Sequence, residues 1–171
     1  DFSRYTFHEA LTPCQTSTVV ARWALQNLGK RPYILVADYA FGHEHLDGWR
    51  QQIQAAGGQE AGGDLHPLGA PDFSAFFPKI LAARPDFLVL ANFGKDTLKS
   101  AQQAVAFGLK QQMPIVISIT STETIQEGGP EVFGDCYMGG SWFWTLADRI
   151  PSSKRFVDAF RAKHGRPPSD Y

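Results

Sequence analysis

An apolar run that ends in a short turn and continues as an amphipathic helix constrains the fold more than any other part of the sequence. Residues 33–37 can form a buried strand, and the turn DYAFG follows at 38–42. Leu46, Trp49 and Ile53 then recur three and four residues apart, so they share one face of a helix. In open α/β sheets, ligands bind at the carboxyl ends of the strands. The turn at 38–42 therefore predicts one wall of a small-molecule cleft.

The same alternation of strand and helix continues along the chain. Strands are predicted at 33–37, 64–68, 86–91, 114–118 and 136–138. Pro67 restricts the second of these strands to the edge of a sheet. Helices are predicted between the strands and again from Pro151 to Gly165. We therefore expect an α/β fold with three layers, in which an open, mostly parallel sheet has helices on both faces. Residues 1–171 would form a single α/β lobe.

The start of the first helix is marked by its capping residues. Thr12 and Pro13 have the residue types of an N-cap and of the first helical position. The helix that follows would turn the apolar side chains of Val19, Val20 and Trp23 inward.

Two later segments are less regular in pattern. A helix is predicted over residues 73–83 with Asp72 as its cap. Pro78 lies inside that pattern and would remove an internal hydrogen bond, so we expect a kink or a later start. Residues 119–129 are rich in Ser and Thr and predict a polar loop that could contain one helical turn, and a further turn of helix is predicted to start at Gly129 and Pro130.

Composition and charge exclude several classes of protein. Hydrophobic residues make up 43% of the 171 residues and charged residues 19%, which is the balance of an ordinary globular domain. The net charge of −1 does not indicate a nucleic-acid partner, and no apolar run is long enough to span a bilayer. Cys14 and Cys136 could form a disulfide if the protein is exported, or remain free thiols. Because the sequence runs from Asp1 to Tyr171 without an initiating Met or a signal peptide, we expect a fragment of a longer protein.

The motifs that could carry metal or covalent chemistry are weak. His43 and His45 are two residues apart, whereas two metal ligands on one helix face must be three or four apart. Ser141 in GGSWF lacks the second glycine of a nucleophile elbow. No glycine-rich nucleotide-binding motif is present. The sequence therefore predicts no catalytic residue, no metal and no cofactor.

Aromatic side chains stand at several of the predicted turns. Tyr39, Phe41 and Phe93 lie where a strand passes into a helix, and Trp142 and Trp144 lie just past a strand. Turns are usually at the surface, and the carboxyl ends of parallel strands meet at one edge of the sheet. These rings would then line a groove with flat apolar faces. The alternative is that they are core residues, and for the two tryptophans neither interpretation is favoured.

Five stretches of the sequence, taken in order, resemble one known family. They are VADYAFGHEHLDGWRQQIQAAGG, APDFSAFFPKILAARPDFLVLANFGKD, AVAFGLK, VFGDCYMGGSWFW and FVDAFRAKHGRPPSDY. Together they resemble the solute-binding proteins of branched-chain-amino-acid-type ABC transporters, the Leu/Ile/Val-binding-like group with the type I periplasmic binding fold. The resemblance covers nearly the whole chain and lies in the combination rather than in any one stretch.

This resemblance implies a protein of two α/β lobes joined by hinge strands, with the ligand held in the cleft between them. The chain would be the second lobe, with the first lobe preceding Asp1 and the chain crossing back to it after Tyr171. The resemblance also implies a periplasmic or other extracytoplasmic location and no enzymatic activity. The partners would be a small-molecule solute, an ABC permease in the membrane, and the missing first lobe of the same protein.

By the same resemblance, the second lobe supplies ligand contacts from three turns. These contacts fall on Tyr39 and Phe41, on Asn92 and Phe93, and on the loop that contains Thr120. We expect the three rings to stack on the ligand, and the Asn92 and Thr120 side chains to orient its polar groups.

Asp38 and Trp142 complete the predicted ligand-binding set. Asp38 stands at a strand end, where its carboxylate could cap the following helix or bind a polar group of the ligand. It could also serve as a catalytic carboxylate, but no second acidic residue lies within a few positions along that strand to share a metal. Trp142 follows the last predicted strand and would add a further flat face to the groove.

The third loop departs from the pattern of the family. Amino-acid-binding members place an acidic residue there to hold the ammonium group of the ligand. Residues 118–121 read SITS here, and no carboxylate occurs before Glu123. A buried cation without a partner is costly. We therefore expect an aromatic solute or an aromatic carboxylate, rather than an α-amino acid.

Two other functions remain open on sequence grounds. The same fold serves as the effector-sensing, ligand-binding domain of regulators, and a segment upstream of Asp1 would decide between the two. An α/β enzyme that uses Asp38 is the other alternative, although no paired acid, base or nucleophile is visible.

Overall fold

The computed structural model describes residues 4–5 and 12–169 of the chain. The strands are β1 Pro32–Ala37, β2 Gly62–His66, β3 Phe87–Ala91, β4 Ile115–Ile117 and β5 Tyr137–Met138. The helices are α1 Pro13–Asn27, α2 Ala40–Ala55, α3 Phe77–Ala83, α4 Lys95–Ala106, α5 Thr122–Phe133 and α6 Pro151–His164. A 3₁₀ helix, Trp144–Asp148, lies between β5 and α6. No helix within the described ranges is both long and apolar enough to cross a membrane.

The strands form one parallel sheet in the order β2-β1-β3-β4-β5. Every residue of β1, β3 and β4 is buried, because helices cover both faces of the central strands. The edge strand β2 has mixed burial, and both residues of the other edge strand, β5, are exposed. The predicted three-layer α/β fold is confirmed, with the second predicted strand at an edge.

Two hydrophobic clusters lie on opposite faces of the sheet. Successive residues of a strand point to opposite faces, so Leu35 belongs to one cluster and Ile34 to the other. The first cluster includes side chains from α3 and α4, and the second includes side chains from α1 and α2. The elements that precede and follow the turn at 38–42 are therefore held rigidly by the core.

The first helix begins as the capping signals predict. The hydroxyl of Thr12 accepts a hydrogen bond from the backbone N–H of Gln15, and the Gln15 side chain accepts one from the N–H of Thr12. The prediction that Val19 and Trp23 face inward is wrong, since they are 70% and 42% exposed. The buried stripe instead contains Val20 and small alanines, which let α1 approach the sheet closely.

The third helix starts late, as Pro78 predicts. It begins at Phe77, so the proline falls in the first turn, where its missing N–H is not needed. Asp72 does not cap this helix. Its carboxylate accepts hydrogen bonds from the backbone N–H and the hydroxyl of Ser74, each at 2.9 Å.

The predicted polar loop at 119–129 is wrong from Thr122 onward. Ser121 caps α5, because its hydroxyl oxygen accepts a hydrogen bond from the N–H of Thr124 at 3.2 Å. The helix is broken at Gly129, where φ is 67°, and it continues from Pro130. Three Ser and Thr side chains that suggested a loop thus form the start of a helix.

Candidate functional site

Three of the aromatic side chains predicted to bind ligand, Tyr39, Phe41 and Phe93, come together at the carboxyl ends of β1 and β3. The Tyr39 and Phe41 rings stack with centroids 5.6 Å apart and planes 16° apart. The Phe93 ring is tilted against Phe41 at 6.2 Å. Tyr39 and Phe41 are half-buried and Phe93 is 37% exposed. We call Tyr39, Phe41 and Phe93 the aromatic edge cluster; its rings contact one another, and each is partly accessible to solvent.

The tight turn between β1 and α2 places two of these rings. Tyr39 has an extended backbone and is the N-cap residue of α2. The helix then folds back so closely over the end of β1 that a Cβ atom at Gly42 would lie 1.9 Å from the Ala37 carbonyl oxygen. Only glycine fits this position, so the tight turn that carries Tyr39 and Phe41 requires Gly42.

A buried histidine, His45, packs against the Phe41 ring of the cluster. The His45 ring is fully buried, and its centroid lies 4.3 Å from that of Phe41. Its Nδ1 is 3.1 Å from the Phe41 carbonyl oxygen, and its Nε2 is 3.1 Å from the Thr16 hydroxyl. Burial lowers the pKa of His45, so the ring is neutral at neutral pH, with Nδ1–H donating to the carbonyl. His45 connects α1 to the aromatic edge cluster.

Asp38 lies at the same edge but does not cap the helix. Its side chain is about half exposed, and Oδ1 lies 2.8 Å from Nε2 of His43. The N-cap of α2 has no side-chain hydrogen bond, so the capping role suggested by the sequence is wrong. The carboxylate remains accessible to a polar group.

The predicted polar residues Asn92 and Thr120 are buried at the ends of β3 and β4. Asn92 Nδ2 donates to His66 Nε2 at 3.2 Å and to Ser100 Oγ at 3.1 Å. The Asn92 Oδ1 and Thr120 Oγ1 atoms have no hydrogen-bond partner among the described residues, and the same holds for Thr97 Oγ1. An unpaired buried polar atom costs roughly 1–3 kcal/mol, so these positions favour an additional hydrogen-bonding group.

His66 fixes the orientation of the Asn92 amide. Its ring is fully buried, and Nδ1 lies 2.9 Å from the Pro67 carbonyl oxygen. Nδ1 therefore carries the proton, and Nε2 accepts a hydrogen bond from Asn92. This arrangement leaves Oδ1 as the atom of Asn92 that can accept a further hydrogen bond.

A carboxylate that the sequence analysis did not select also lies near the cluster. Asp96 is in the first turn of α4 and is almost completely buried, with Oδ2 accepting the N–H of Gly69 at 2.9 Å. Burial, and secondly the charge of Asp96, raise the pKa of Tyr39, so the phenol stays protonated and can donate a hydrogen bond. In the sequence, Asp96 could have been recognised as the acidic residue two positions after Gly94, which ends the second strand-to-helix turn.

Trp142 is placed differently from the other predicted residues. Its Nε1 donates to the Ser153 hydroxyl at 3.1 Å, and its ring packs edge-on against Phe156 of α6. Trp142 and Thr120 both line a cavity of about 390 Å³, whose other walls include Ile125 and residues 138–143. Trp142 therefore shares a cavity with Thr120 and is held in place by contacts with α6.

A larger groove, of about 620 Å³, lies on the other side of β5. Its apolar walls are the exposed side chains of α1 and of β5, and the rings of Trp23 and Tyr137 meet there at 4.7 Å. The sequence analysis missed this groove because Val19 and Trp23 fit the pattern of a helix core. It lacks the unpaired buried polar atoms found at the ends of β3 and β4. We therefore place the candidate site at the aromatic edge cluster.

Metal and disulfide chemistry find no support in the part of the chain that the structure describes. No group of three or more His, Cys, Asp or Glu side chains there could hold a metal ion. Cys14 and Cys136 are both free thiols. Burial raises the pKa of Cys136, which keeps that thiol protonated and unreactive.

A family model and curated relatives both place the chain among periplasmic binding proteins. The family model described as Periplasmic binding protein matches residues 1–171. The chain is 27% identical over 169 residues to Leu/Ile/Val-binding protein homolog 6 of Brucella melitensis biotype 1. That alignment covers 96% of this chain but 43% of the relative. The chain thus spans less than half the length of the curated relatives that it matches.

Solved structures show the same partial coverage. An amino acid ABC transporter substrate-binding protein from Pseudomonas fluorescens Pf-5 has a TM-score of 0.82 and 29% identity, covering 93% of this chain and 42% of that one. A solute-binding protein of an ABC transporter from Rhodopseudomonas palustris BisB5, in complex with 3,4-dihydroxybenzoic acid, has a TM-score of 0.73. It is 23% identical and covers 93% of this chain and 44% of that one, so the likeness concerns the fold alone.

Proposed function

The chain belongs to the periplasmic binding protein family, and on that premise we propose that it is one lobe of an extracytoplasmic solute receptor for an ABC importer. The receptor captures a small organic molecule between two lobes, of which this chain supplies one. Its partners are the solute, the other lobe of the same protein and a membrane permease. Its relatives are solute-binding proteins, which supports a binding role without enzymatic activity.

The observation that carries this proposal is the aromatic edge cluster, together with the unpaired buried polar atoms at the carboxyl ends of β3 and β4. Tyr39, Phe41 and Phe93 offer flat faces at the edge of the sheet where α/β folds bind ligands. Asn92 Oδ1 and Thr120 Oγ1 offer hydrogen-bonding positions at the ends of the neighbouring strands. A site of apolar walls with a few fixed polar groups is typical of small-molecule binding.

The ligand class is an aromatic compound or an aromatic carboxylate. Residues 118–121 contain no carboxylate to pair with an ammonium group, and Asp96 already accepts the N–H of Gly69. A ring can stack on the cluster, while its anionic group is held mainly by the other lobe. The structure from R. palustris that holds 3,4-dihydroxybenzoic acid supports the proposal only to the extent that this fold can enclose such a ligand.

Capture works by a shift between open and closed states. A ligand drives closure only by making better contacts in the closed state than in the open one. Here the aromatic edge cluster supplies contacts that become complete when the other lobe of the same protein covers the ligand. The permease would then recognise the closed form, as in other hinge-closing receptors.

The test is a calorimetric titration of the complete polypeptide that contains this chain. Benzoate and 3,4-dihydroxybenzoate are compared with leucine at equal concentrations. The proposal expects saturable binding of at least one aromatic acid and weaker or no binding of leucine. Binding of leucine alone would contradict the proposed ligand class. If the folded protein binds none of the three compounds, the proposal that the aromatic edge cluster selects an aromatic acid would be contradicted.

A further inference from the structure

One acidic side chain at the carboxyl edge of the sheet is buried without a cationic partner. Asp96 lies in the first turn of α4, three residues after Phe93, and is only 4% exposed. Among the described residues, no Lys, Arg or His side chain forms an ion pair with it. Burying a carboxylate without a cation is costly unless hydrogen bonds satisfy its oxygens. The partners of its two oxygens therefore decide what Asp96 can do.

Only one of the two oxygens of Asp96 is hydrogen-bonded. Oδ2 accepts the backbone N–H of Gly69 at 2.9 Å, which joins the loop after β2 to α4. Oδ1 has no hydrogen-bond partner among the described residues, and it is not one of the polar atoms that are sealed from solvent there. The dipole of α4 stabilises the negative charge but supplies no donor to Oδ1. Oδ1 is thus a charged acceptor with room for a further hydrogen bond.

The phenol of Tyr39 lies near this carboxylate. Burial, and secondly the charge of Asp96, raise the pKa of Tyr39, yet the two side chains form no hydrogen bond with each other. They are close enough to interact electrostatically without being in hydrogen-bonding contact. A group placed between them can accept a hydrogen bond from the phenol and donate one to Oδ1.

Tyr39 also links this pair to the aromatic edge cluster. Its ring stacks on Phe41 with planes 16° apart, while its hydroxyl is the group that neighbours Asp96. A ligand ring that stacks on Tyr39 brings the substituents on its rim alongside the phenol oxygen. The rim of such a ligand, rather than its flat face, is then the part that Asp96 can contact.

A hydroxyl group has the chemistry that this pair recognises. It can accept the proton of the Tyr39 phenol and donate its own proton to Asp96 Oδ1. A carboxylate at the same place would be repelled by Asp96. An α-amino acid carries its ammonium and carboxylate groups on one carbon, so an ammonium bound to Asp96 would bring the ligand carboxylate close to the same negative charge. In an aromatic acid the ring separates the hydroxyl from the carboxylate.

We propose that Asp96 determines ligand specificity by accepting a hydrogen bond from a phenolic hydroxyl, so that the receptor takes a hydroxylated aromatic acid in preference to one without hydroxyl groups. The Tyr39 hydroxyl donates to the oxygen of the same ligand group. A ligand without the hydroxyl would cover both side chains and leave them unpaired, which is the basis of strong discrimination. This inference rests on the proposed function and narrows its ligand class.

The test compares two ligands of similar shape on the complete polypeptide. In 3,4-difluorobenzoate, fluorine replaces each hydroxyl of 3,4-dihydroxybenzoate and cannot donate a hydrogen bond. We expect calorimetric titration to show that the dihydroxy acid binds at least ~10-fold more tightly, because the difluoro acid leaves Asp96 and Tyr39 unpaired. This comparison uses the wild type alone, so it stays decisive even if a substitution at position 96 prevents folding.

The matching change in the protein is Asp96→Asn. An Asn side chain keeps an oxygen that can accept the Gly69 N–H, but it presents an NH₂ donor in place of Oδ1. We expect the preference for the dihydroxy acid to fall below about 3-fold, because its hydroxyl no longer meets an acceptor.

The control variant is Asp86→Asn. The Asp86 carboxylate also accepts backbone N–H groups, those of Lys30 and Arg31 at 2.7 and 2.8 Å. It immediately precedes β3 and so lies at the opposite end of that strand from the cluster. The preference of Asp86→Asn for the dihydroxy acid should equal that of the wild type.

The outcomes separate this inference from the proposed function. Equal affinity of the wild type for the two acids would overturn the inference and leave the proposed function standing, since both aromatic acids would bind. A preference that Asp96→Asn retains in full would also overturn it, because another residue would then recognise the hydroxyl. Binding of neither acid by the folded wild type would contradict the proposed ligand class and this inference with it.

Discussion

The His45 ring Nδ1 lies 3.1 Å from the carbonyl oxygen of Phe41, one turn earlier in α2, while Nε2 lies 3.1 Å from the Thr16 hydroxyl of α1. One buried imidazole thereby joins two helices and supports a ring of the aromatic edge cluster. Replacing it with Leu removes both hydrogen bonds at similar volume, so the free energy of unfolding of His45→Leu should fall by roughly 1–3 kcal/mol. Urea unfolding measures this loss, and His43→Leu, on the exposed side of the same helix, is the control. Equal stability of the two variants would contradict the role given to His45.

The same histidine predicts how stability changes with pH. Burial lowers the folded-state pKa of His45 below its ordinary value of 6.5, so the unfolded chain binds the proton more readily. Stability should therefore be fully present above that value and fall as the pH drops through it toward the folded-state pKa. Urea unfolding between about pH 7.5 and pH 5 should show this slope in the wild type and in His43→Leu, but a reduced slope in His45→Leu. A slope that His45→Leu leaves unchanged would assign it to another group.

The position of Phe41 also depends on Gly42. An alanine there brings Cβ to 1.9 Å from the Ala37 carbonyl oxygen, which forces the backbone of the turn to shift. We expect Gly42→Ala to lower the free energy of unfolding by about 1–3 kcal/mol, as for other overpacked sites. Gly140→Ala is the matched control, since its Cβ meets no atom within 4 Å. A Gly42→Ala protein as stable as this control would show that the turn is not tightly packed.

Thr120 gives a prediction in which stability and binding move in different directions. Its buried hydroxyl has no hydrogen-bond partner among the described residues, so Thr120→Val should leave the unliganded protein as stable or up to about 1 kcal/mol more stable. Ligand affinity should fall, because the hydroxyl that we propose to orient the ligand is gone. Thr16→Val is the contrasting control, since the Thr16 hydroxyl is bonded to the Pro13 carbonyl and to His45, and its loss should destabilise the fold. Destabilisation by Thr120→Val with unchanged affinity would remove Thr120 from the site.

Much of the fold could be predicted from the sequence because its signals are local. The apolar runs of β1 and β3 predict strands buried on both faces, and Thr12 with Pro13 predicts the start of α1. Trp23 was assigned to the wrong side, because a helical period does not tell which flank of an apolar stripe meets the sheet. The start of α5 was missed because a serine can either begin a helix or interrupt one.

The location of the candidate site could be predicted from the sequence, but the buried hydrogen bonds that hold its residues in place could not. Tyr39, Phe41 and Phe93 could be placed at one edge, since the carboxyl ends of parallel strands must meet there. The contacts of His45 with Thr16 and of Asn92 with His66 join residues 29 and 26 positions apart, and no sequence period specifies such pairs. The sequence favoured a solvated first helical turn for His45 over a metal ligand, whereas the residue is fully buried and its role depends on the packing of two helices.

The most direct test of the account is the affinity of the Phe93→Ala variant for an aromatic acid that the complete polypeptide binds. Phe107→Ala is the control, since that ring lies at the opposite end of α4 from Phe93. If the aromatic edge cluster is the ligand wall, calorimetric titration should show Phe93→Ala weaker by roughly 1–3 kcal/mol, with Phe107→Ala unchanged. Equal affinity of both variants and the wild type would contradict the proposal that the ligand stacks on this cluster.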